Sequence, residues 1–219
     1  MPTTIGRAFI PAFKLLMHLL CRIDAAELAR VPEHGPLIIA TNHIGILEIP
    51  ILYTHLQPRH FAGFVASYRW RKRWLGWVLD QCDAIPLTRG EVDLNAIRRA
   101  LDWLEVGGIL AIAPEGTRSF DGRLQPAHAG VVLLAEKSGA PVLPLAFYGS
   151  ENFEKNISHL RRTDFIIRVG ELVAIDVPKD AAKAGITRHQ LRQQIADNIM
   201  RRIAAMMPVK YHGVYAVPS

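Results

Sequence analysis

Apolar residues in this chain follow two spacings, which alternate along most of its length. Continuous apolar runs at 37–40, 109–113 and 142–147 are typical of strands buried on both faces. In 92–106 and 188–206 the apolar residues instead recur every three to four positions, as in amphipathic helices. This alternation predicts an α/β fold: a mixed, largely parallel sheet flanked by helices.

Weaker patterns complete the prediction and show no repeat or linker that would divide the chain. Thr187 is placed to cap the last helix. Further strands are expected at 61–66, 85–87, 165–169 and 171–176. Further helices are expected at about 44–57, 68–79 and 127–138.

The first predicted helix, 5–22, is amphipathic, which gives the fold an N-terminal amphipathic helix over residues 1–24 ahead of one domain over 25–219. Its basic residues fall within a sector of about 80°: Arg7, Lys14, His18 and Arg22. Its apolar residues occupy the other side: Ile5, Phe9, Phe13, Leu16, Met17 and Leu20. Such a helix can lie in a membrane interface or pack on its own domain, and the sequence leaves both open.

Net charge and cysteine content limit the kinds of partner and site that the chain could have. A net charge of +6 indicates an anionic partner, which could be nucleic acid, lipid headgroups or a phosphorylated substrate. The distant pair Cys21 and Cys82 argues against a disulfide framework or a cysteine zinc site. Lys14 and His18 interrupt the first apolar stretch, and no run reaches the roughly 18 apolar residues of a membrane span. We therefore expect a protein at the cytoplasmic face of a membrane.

The first candidate site is His43 with Glu48. Five helical steps rotate by roughly 140°, so the two side chains cannot meet along one regular helix. They can meet if His43 lies on the turn after strand 37–40 and Glu48 lies in the next helix. A carboxylate on one imidazole nitrogen fixes the tautomer, so that the other nitrogen can take a proton from a hydroxyl. A histidine that only caps or packs there is the alternative.

The second candidate site is the segment from Pro114 to Ser119, directly after a buried strand. Ligands of open α/β sheets bind at the carboxyl ends of strands. Gly116 permits unusual backbone angles, and Arg118 is a bidentate donor suited to phosphate. Two weaker blocks are Arg89, which follows Ile85-Pro86-Leu87, and the proline-bracketed strand at 141–147, which fits a sheet edge or a purely structural strand.

In this order and at these spacings, the four blocks over roughly residues 35–150 resemble the glycerolipid acyltransferase family, which includes the 1-acylglycerol-3-phosphate acyltransferases. That family's signature begins with Asn-His, four residues and an Asp. An Arg after an Ile-Pro segment follows, then Pro-Glu-Gly-Thr-Arg-Ser, and then a Val-Pro-rich strand. By this resemblance residues 25–219 form an acyltransferase domain.

The resemblance implies that His43 deprotonates the acceptor hydroxyl, which then attacks the thioester of acyl-CoA or acyl carrier protein. Glu48 would orient His43. The expected acceptor is a lysophospholipid, foremost 1-acylglycerol-3-phosphate, and no cofactor or metal is implied because the thioester is already activated. The residues that match the family's substrate-binding positions are Arg89, Glu115, Gly116, Thr117 and Arg118.

Two departures from the family pattern keep alternatives open. Glu48 stands where the family usually has Asp, and Ala66-Ser67-Tyr68 stands where it commonly has a Lys. A different lipid or glycolipid acceptor would fit the second departure. The first departure, Glu48 in place of Asp, would fit a peripheral lipid-binding protein whose catalytic pair has lost its function.

The segment from Tyr68 to Trp77 carries tryptophans at helical spacing among basic residues. Trp70, Trp74 and Trp77 with these cations suit an anionic membrane surface. The cations could also meet the acyl donor, or the tryptophans could lie in the core. Nucleic acid is not an expected partner, because no recognition motif is present and the Pro114–Ser119 segment would stay unexplained.

Overall fold

A computed structural model of the chain describes residues 4–88, 90, 92–178 and 186–216, with side chains from Ile10 onward. The helices are α1 Thr4–Leu20, α2 Glu48–His55, α3 Arg73–Gln81, α4 Leu94–Glu105, α5 Gly130–Ser138, α6 Phe153–Ser158 and α7 Arg188–Ala205. The strands are β1 Cys21–Asp24, β2 Leu37–Thr41, β3 Phe61–Ala66, β4 Ile85–Leu87, β5 Ile109–Ile112, β6 Val142–Tyr148 and β7 Thr163–Val169.

The strands form one sheet in the order β1-β7-β6-β2-β5-β3-β4. Neighbouring strands are parallel except β6 and β7, which pair antiparallel. The predicted mixed, largely parallel sheet flanked by helices is therefore confirmed. β2 lies at the centre, where Ile38 is in register with Leu110 of β5 and Val142 of β6.

Successive residues of the central strands face opposite layers of helices, as the pleat requires. Ile38 and Ala40 pack with α4, α5 and α7, whereas Leu37 and Ile39 pack with α1 and α2. Both faces are apolar, which explains why the strand sequences are continuous hydrophobic runs.

The connections after β2 and β5 leave the sheet on opposite faces. β2 leads to α2 in one layer, and β5 leads to α5 in the other. The two strands are hydrogen-bonded neighbours, with Ala40 in register with Ile112. A crevice at the carboxyl ends of such a strand pair is the usual ligand position in open α/β sheets.

Several predicted features differ from the structure. The first helix, predicted over 5–22, ends at Leu20, because Cys21–Asp24 form strand β1 and pair with β7. The helix predicted at 68–79 is divided into a 3-10 helix, Ser67–Arg71, and α3.

Segment 171–176 makes a single bridge, Val142 to Val173, because two backbone hydrogen bonds join these residues and the chain then turns away. Strand 142–147 lies inside the sheet and not at its edge, and Pro144 still accepts a hydrogen bond from the Gly170 N–H through its carbonyl. Helix 127–138 begins only at Gly130.

Helix α1 packs on α2 and leaves one apolar side exposed. Met17 is buried, and Ile10, Phe13 and Leu20 pack partly against the same core. Leu15, Leu16 and Leu19 are exposed. The guanidinium of Arg162 donates to the carbonyls of His18 and Cys21, which fixes the end of the helix where the edge strand β1 begins.

Candidate active site

The turn that carries His43 is fixed by its neighbour Asn42. Asn42 is buried, and its side-chain amide donates to the Phe147 carbonyl at 2.8 Å and accepts the Phe147 N–H at 2.8 Å. This exchange continues the pairing of β2 with β6 beyond the last strand residue, Thr41, which is in register with Leu145. The chain therefore leaves the sheet at a fixed point, directly before His43.

His43 and Glu48 meet as the sequence predicted. His43 lies on the turn after β2, and Glu48 is the first residue of α2. The His43 Nδ1 atom is 3.3 Å from Glu48 Oε2. The Glu48 side chain is only 1% exposed, and its Oε1 accepts the Gly45 N–H at 2.7 Å. The 3.3 Å approach is not itself a hydrogen bond, since Glu48 Oε2 is buried without a hydrogen-bond partner among the described residues. A small turn of the imidazole would bring its Nδ1–H onto this oxygen and leave Nε2 free to accept a proton.

Glu115 joins the His43 turn to the segment from Pro114 to Ser119, which we call the anion loop. Its Oε1 accepts the His43 N–H at 3.1 Å, and its Oε2 accepts the Gln125 N–H at 2.9 Å. A second link runs from the Ser119 N–H to the His43 carbonyl at 2.7 Å. Burial raises the pKa of Glu115 to about 7, against the lowering effect of the two backbone N–H donors. The nearby Glu48 charge raises the pKa further.

The predicted substrate-binding role of Glu115 stays a prediction. The side chain is 2% exposed, and each of its oxygens already accepts a backbone N–H. In this structure it holds the two loops together.

Three residues of the anion loop, Gly116 to Arg118, lie nearer the surface than Glu115 does. Gly116 has a φ of 66°, a left-handed conformation that favours glycine. Gly116 and Thr117 are exposed. Arg118 is half-buried, and its guanidinium carbon lies 5.8 Å from the centre of the Phe120 ring. The loop therefore brings a flexible backbone, a hydroxyl and a guanidinium to the crevice beside His43.

The remaining predicted residue, Arg89, lies outside the described residues. At the ends of β3 and β4 is an open cleft of about 500 Å³ whose lining includes Ser67, Thr88 and Arg99. The cleft opens at the same carboxyl edge of the sheet as the His43 turn, as the parallel pairing requires.

Residues 207–216 hold segment 124–127, which in turn contacts the anion loop. The Leu124 N–H donates to the Tyr211 carbonyl at 2.9 Å, and the Ala127 N–H donates to the Tyr215 hydroxyl at 2.9 Å. Tyr215 in turn donates to Asp197 of α7 at 2.8 Å. Gln125 Nε2 completes the support by donating to the Arg118 carbonyl. None of these contacts could be anticipated from local sequence patterns.

Among the described residues, no group of three or more His, Cys, Asp or Glu side chains is arranged to hold a metal ion. What the site offers is acid–base chemistry: an oriented imidazole, beside a loop rich in hydrogen-bond donors. Such a site suits proton removal from a hydroxyl near an anionic group.

A family model described as Acyltransferase matches residues 22–148, more than half of the chain. The chain belongs to the acyltransferase family. This confirms the resemblance inferred from the sequence. The matched range contains His43, Glu48, the position of Arg89 and the whole anion loop of this acyltransferase.

Two relatives illustrate how far the similarity reaches. A chloroplastic 1-acyl-sn-glycerol-3-phosphate acyltransferase of Brassica napus is 27% identical over 186 residues, which are 81% of this chain and 51% of that protein. The 1-acyl-sn-glycerol-3-phosphate acyltransferase of Bacillus subtilis is 25% identical over 138 residues, 63% of this chain and 68% of its own. This acyltransferase thus spans about half the length of the plant relative.

The fold is shared with a solved structure. The crystal structure of the 1-acyl-sn-glycerophosphate (LPA) acyltransferase PlsC from Thermotoga maritima superposes with a TM-score of 0.62 and 20% identity. The match covers 92% of this acyltransferase and 80% of that chain. At this identity the likeness shows a common fold.

Proposed function

We propose that this acyltransferase moves a fatty acyl group from the thioester of acyl-CoA or acyl carrier protein to the hydroxyl of a lysophospholipid, with 1-acylglycerol-3-phosphate as the expected acceptor. The observation that carries the proposal is the 3.3 Å contact between His43 Nδ1 and buried Glu48, beside the anion loop. The names of the Brassica and Bacillus relatives support the choice of acceptor.

In the proposed reaction, His43 Nε2 takes the proton of the acceptor hydroxyl while the oxygen attacks the thioester carbonyl carbon. The tetrahedral intermediate collapses as the C–S bond breaks. The leaving thiolate takes the proton from the imidazolium, so that an ester and a free thiol are the products. The Glu48 carboxylate stabilises the transient imidazolium, and its burial strengthens that interaction. No metal or covalent acyl-enzyme is needed, since the thioester is already activated.

Arg118 and Thr117 of the anion loop would bind the acceptor phosphate, and Arg89 would join them. A guanidinium pairs with phosphate in bidentate fashion, and a threonine hydroxyl adds a further donor. Binding of the remote phosphate would hold the hydroxyl near His43, which converts binding energy into orientation.

We further propose that the protein works at the cytoplasmic face of an anionic membrane. Trp74 and Trp77 on α3 are 68% and 52% exposed, while Trp70 packs over Gly76 and donates to Asp80. The basic residues beside them are also exposed: Arg71, Lys72 and Arg73. Together with the exposed leucines of α1, they give two apolar patches of the kind that sits at bilayer interfaces. In the described residues, no helix combines the length and the hydropathy that crossing a bilayer requires.

A thiol-release assay tests the reaction. The purified protein, in detergent or vesicles, receives palmitoyl-CoA and a panel of lysolipids, alongside His43→Ala. Release that depends on 1-acylglycerol-3-phosphate and disappears in the variant supports the proposal. Acceptor-independent release would indicate a thioesterase. If palmitoyl-CoA and palmitoyl-acyl carrier protein both give no release above the blank, the lipid-binding alternative gains and the proposal fails.

A further inference from the structure

A histidine that belongs to none of the four sequence blocks, His128, lies against Gly116 of the anion loop. The His128 ring is so close to Gly116 that a Cβ added to this glycine would lie 3.1 Å from its Cδ2 and 3.5 Å from its Nε2. The side chain is exposed, and its ring nitrogens make no hydrogen bond within the described part of the chain. The ring therefore has free hydrogen-bonding capacity beside the proposed phosphate site.

The backbone at His128 and at the residue before it is held by hydrogen bonds, which fixes the point from which the ring extends. The His128 N–H donates to the Pro114 carbonyl at 2.8 Å. The preceding residue, Ala127, donates its N–H to Tyr215 and accepts Gln193 Nε2 at 2.7 Å through its carbonyl. An exposed residue needs no such support for packing alone, whereas a ligand-binding side chain gains from preorganisation.

The carboxylates near the anion loop already accept hydrogen bonds from other residues of the chain. Glu115 accepts two backbone N–H groups. Asp121 accepts the Ser119 hydroxyl at 2.9 Å and the Arg123 N–H at 3.0 Å. Neither acid pairs with His128, and its ring lies against Gly116, the residue directly before Thr117 and Arg118. A ring N–H without a carboxylate partner is available to donate to an anion.

We propose that His128 is a further substrate-binding residue, whose ring N–H donates to the phosphate of the acceptor across Gly116. The proposal rests on the proposed function, because it concerns the same acceptor. It also adds a reason for glycine at position 116 to its left-handed φ: a Cβ there would lie 3.1 Å from the ring, which would then have to shift by a few tenths of an ångström.

Kinetics of His128→Phe separate binding from packing. Phenylalanine keeps a flat ring against Gly116 but has no N–H. We expect the KM for 1-acylglycerol-3-phosphate to rise about tenfold, as for the loss of one hydrogen bond to a charged group, with kcat changed less than twofold. The rate with monoacylglycerol, which lacks the phosphate, should not change. His34→Phe is the matched control, since His34 is also an exposed histidine and lies far from the loop in sequence.

A second measurement does not depend on turnover. Titration of the protein with sn-glycerol 3-phosphate, followed by NMR of the histidine ring signals, should shift the signal that disappears in His128→Phe. An unchanged KM for the phosphorylated acceptor, or an equal loss with both acceptors, would overturn the proposal. If the wild-type protein transfers no acyl group, the proposed function fails, and the titration alone then decides whether His128 binds the phosphate: a shift supports it, and none overturns it.

Discussion

Asn42 and Phe147 are 105 residues apart in sequence, yet they exchange two buried hydrogen bonds of 2.8 Å. The side chain of Asn42 takes the place that a further β2 residue would occupy in the sheet. His43 begins its turn from this fixed point, so the geometry of the His43–Glu48 pair depends on a residue that is buried in the sheet.

Asn42→Ala should therefore lower both stability and activity. The N–H and carbonyl of Phe147 would lose their buried partners, which costs about 2–4 kcal/mol in the free energy of unfolding. Denaturant unfolding measures this loss, and thiol release at a temperature where the variant stays folded measures the effect on kcat. A variant as stable as the wild type would show that the backbone finds other partners.

Glu48→Asp should lower the activity of this enzyme, although aspartate is the usual residue at this position in the family. Glu48 reaches both the Gly45 N–H at 2.7 Å and His43 Nδ1 at 3.3 Å. A side chain shorter by one methylene cannot keep both contacts without movement of the backbone. We expect kcat to fall about 10- to 100-fold, while KM changes little.

Glu48→Gln is the matched control for that prediction, because it keeps the length and removes the charge. It should lose at least as much activity as Glu48→Asp, since the amide cannot stabilise the imidazolium. An aspartate variant as active as the wild type would contradict the idea that the reach of this side chain matters.

The buried Glu115 should make stability depend on pH. Burial raises its pKa in the folded protein to about 7 from an ordinary value of 4.5, so the folded state holds the proton more tightly than the unfolded chain does. Its contribution to stability is full below about pH 4.5 and is lost as the pH rises to about 7. The shift corresponds to roughly 3 kcal/mol in the free energy of unfolding.

Glu115→Gln removes this titration and tests the assignment. The difference in unfolding free energy, wild type minus variant, should fall between pH 4.5 and pH 7 and stay constant above that range. Denaturant unfolding at a series of pH values gives the curve. A difference that does not vary with pH would assign the wild-type pH dependence to other groups.

Membrane binding should need the exposed apolar residues of α1 and α3. Leu15→Ser with Leu19→Ser, or Trp74→Ala with Trp77→Ala, should each weaken co-sedimentation with anionic phospholipid vesicles at least tenfold. Val106→Ser is a matched control, because Val106 is an exposed apolar residue at the end of α4. Equal binding by the control and the double variants would refute the assignment of these patches.

The sequence predicts the features that depend on residues close together in the chain. The α/β class follows from the two hydrophobic spacings, and the approach of His43 to Glu48 follows from a strand, a turn and a helix within a dozen residues. Residues 21–24 were included in the first helix or its flank, because nothing local indicates that β1 pairs with β7 across the domain. The roles of Asn42 and Gln125 were missed because their partners are set by tertiary folding.

The support of the anion loop by Tyr211 and Tyr215 has a consequence for how the protein is made. Synthesis proceeds from the N-terminus, so His43 and Glu48 leave the ribosome long before the residues that steady the loop beside them. The Ala127 contact with Tyr215 spans 88 positions. A nascent chain can therefore display its imidazole and carboxylate, but the site is complete only when Tyr211 and Tyr215 have emerged and docked.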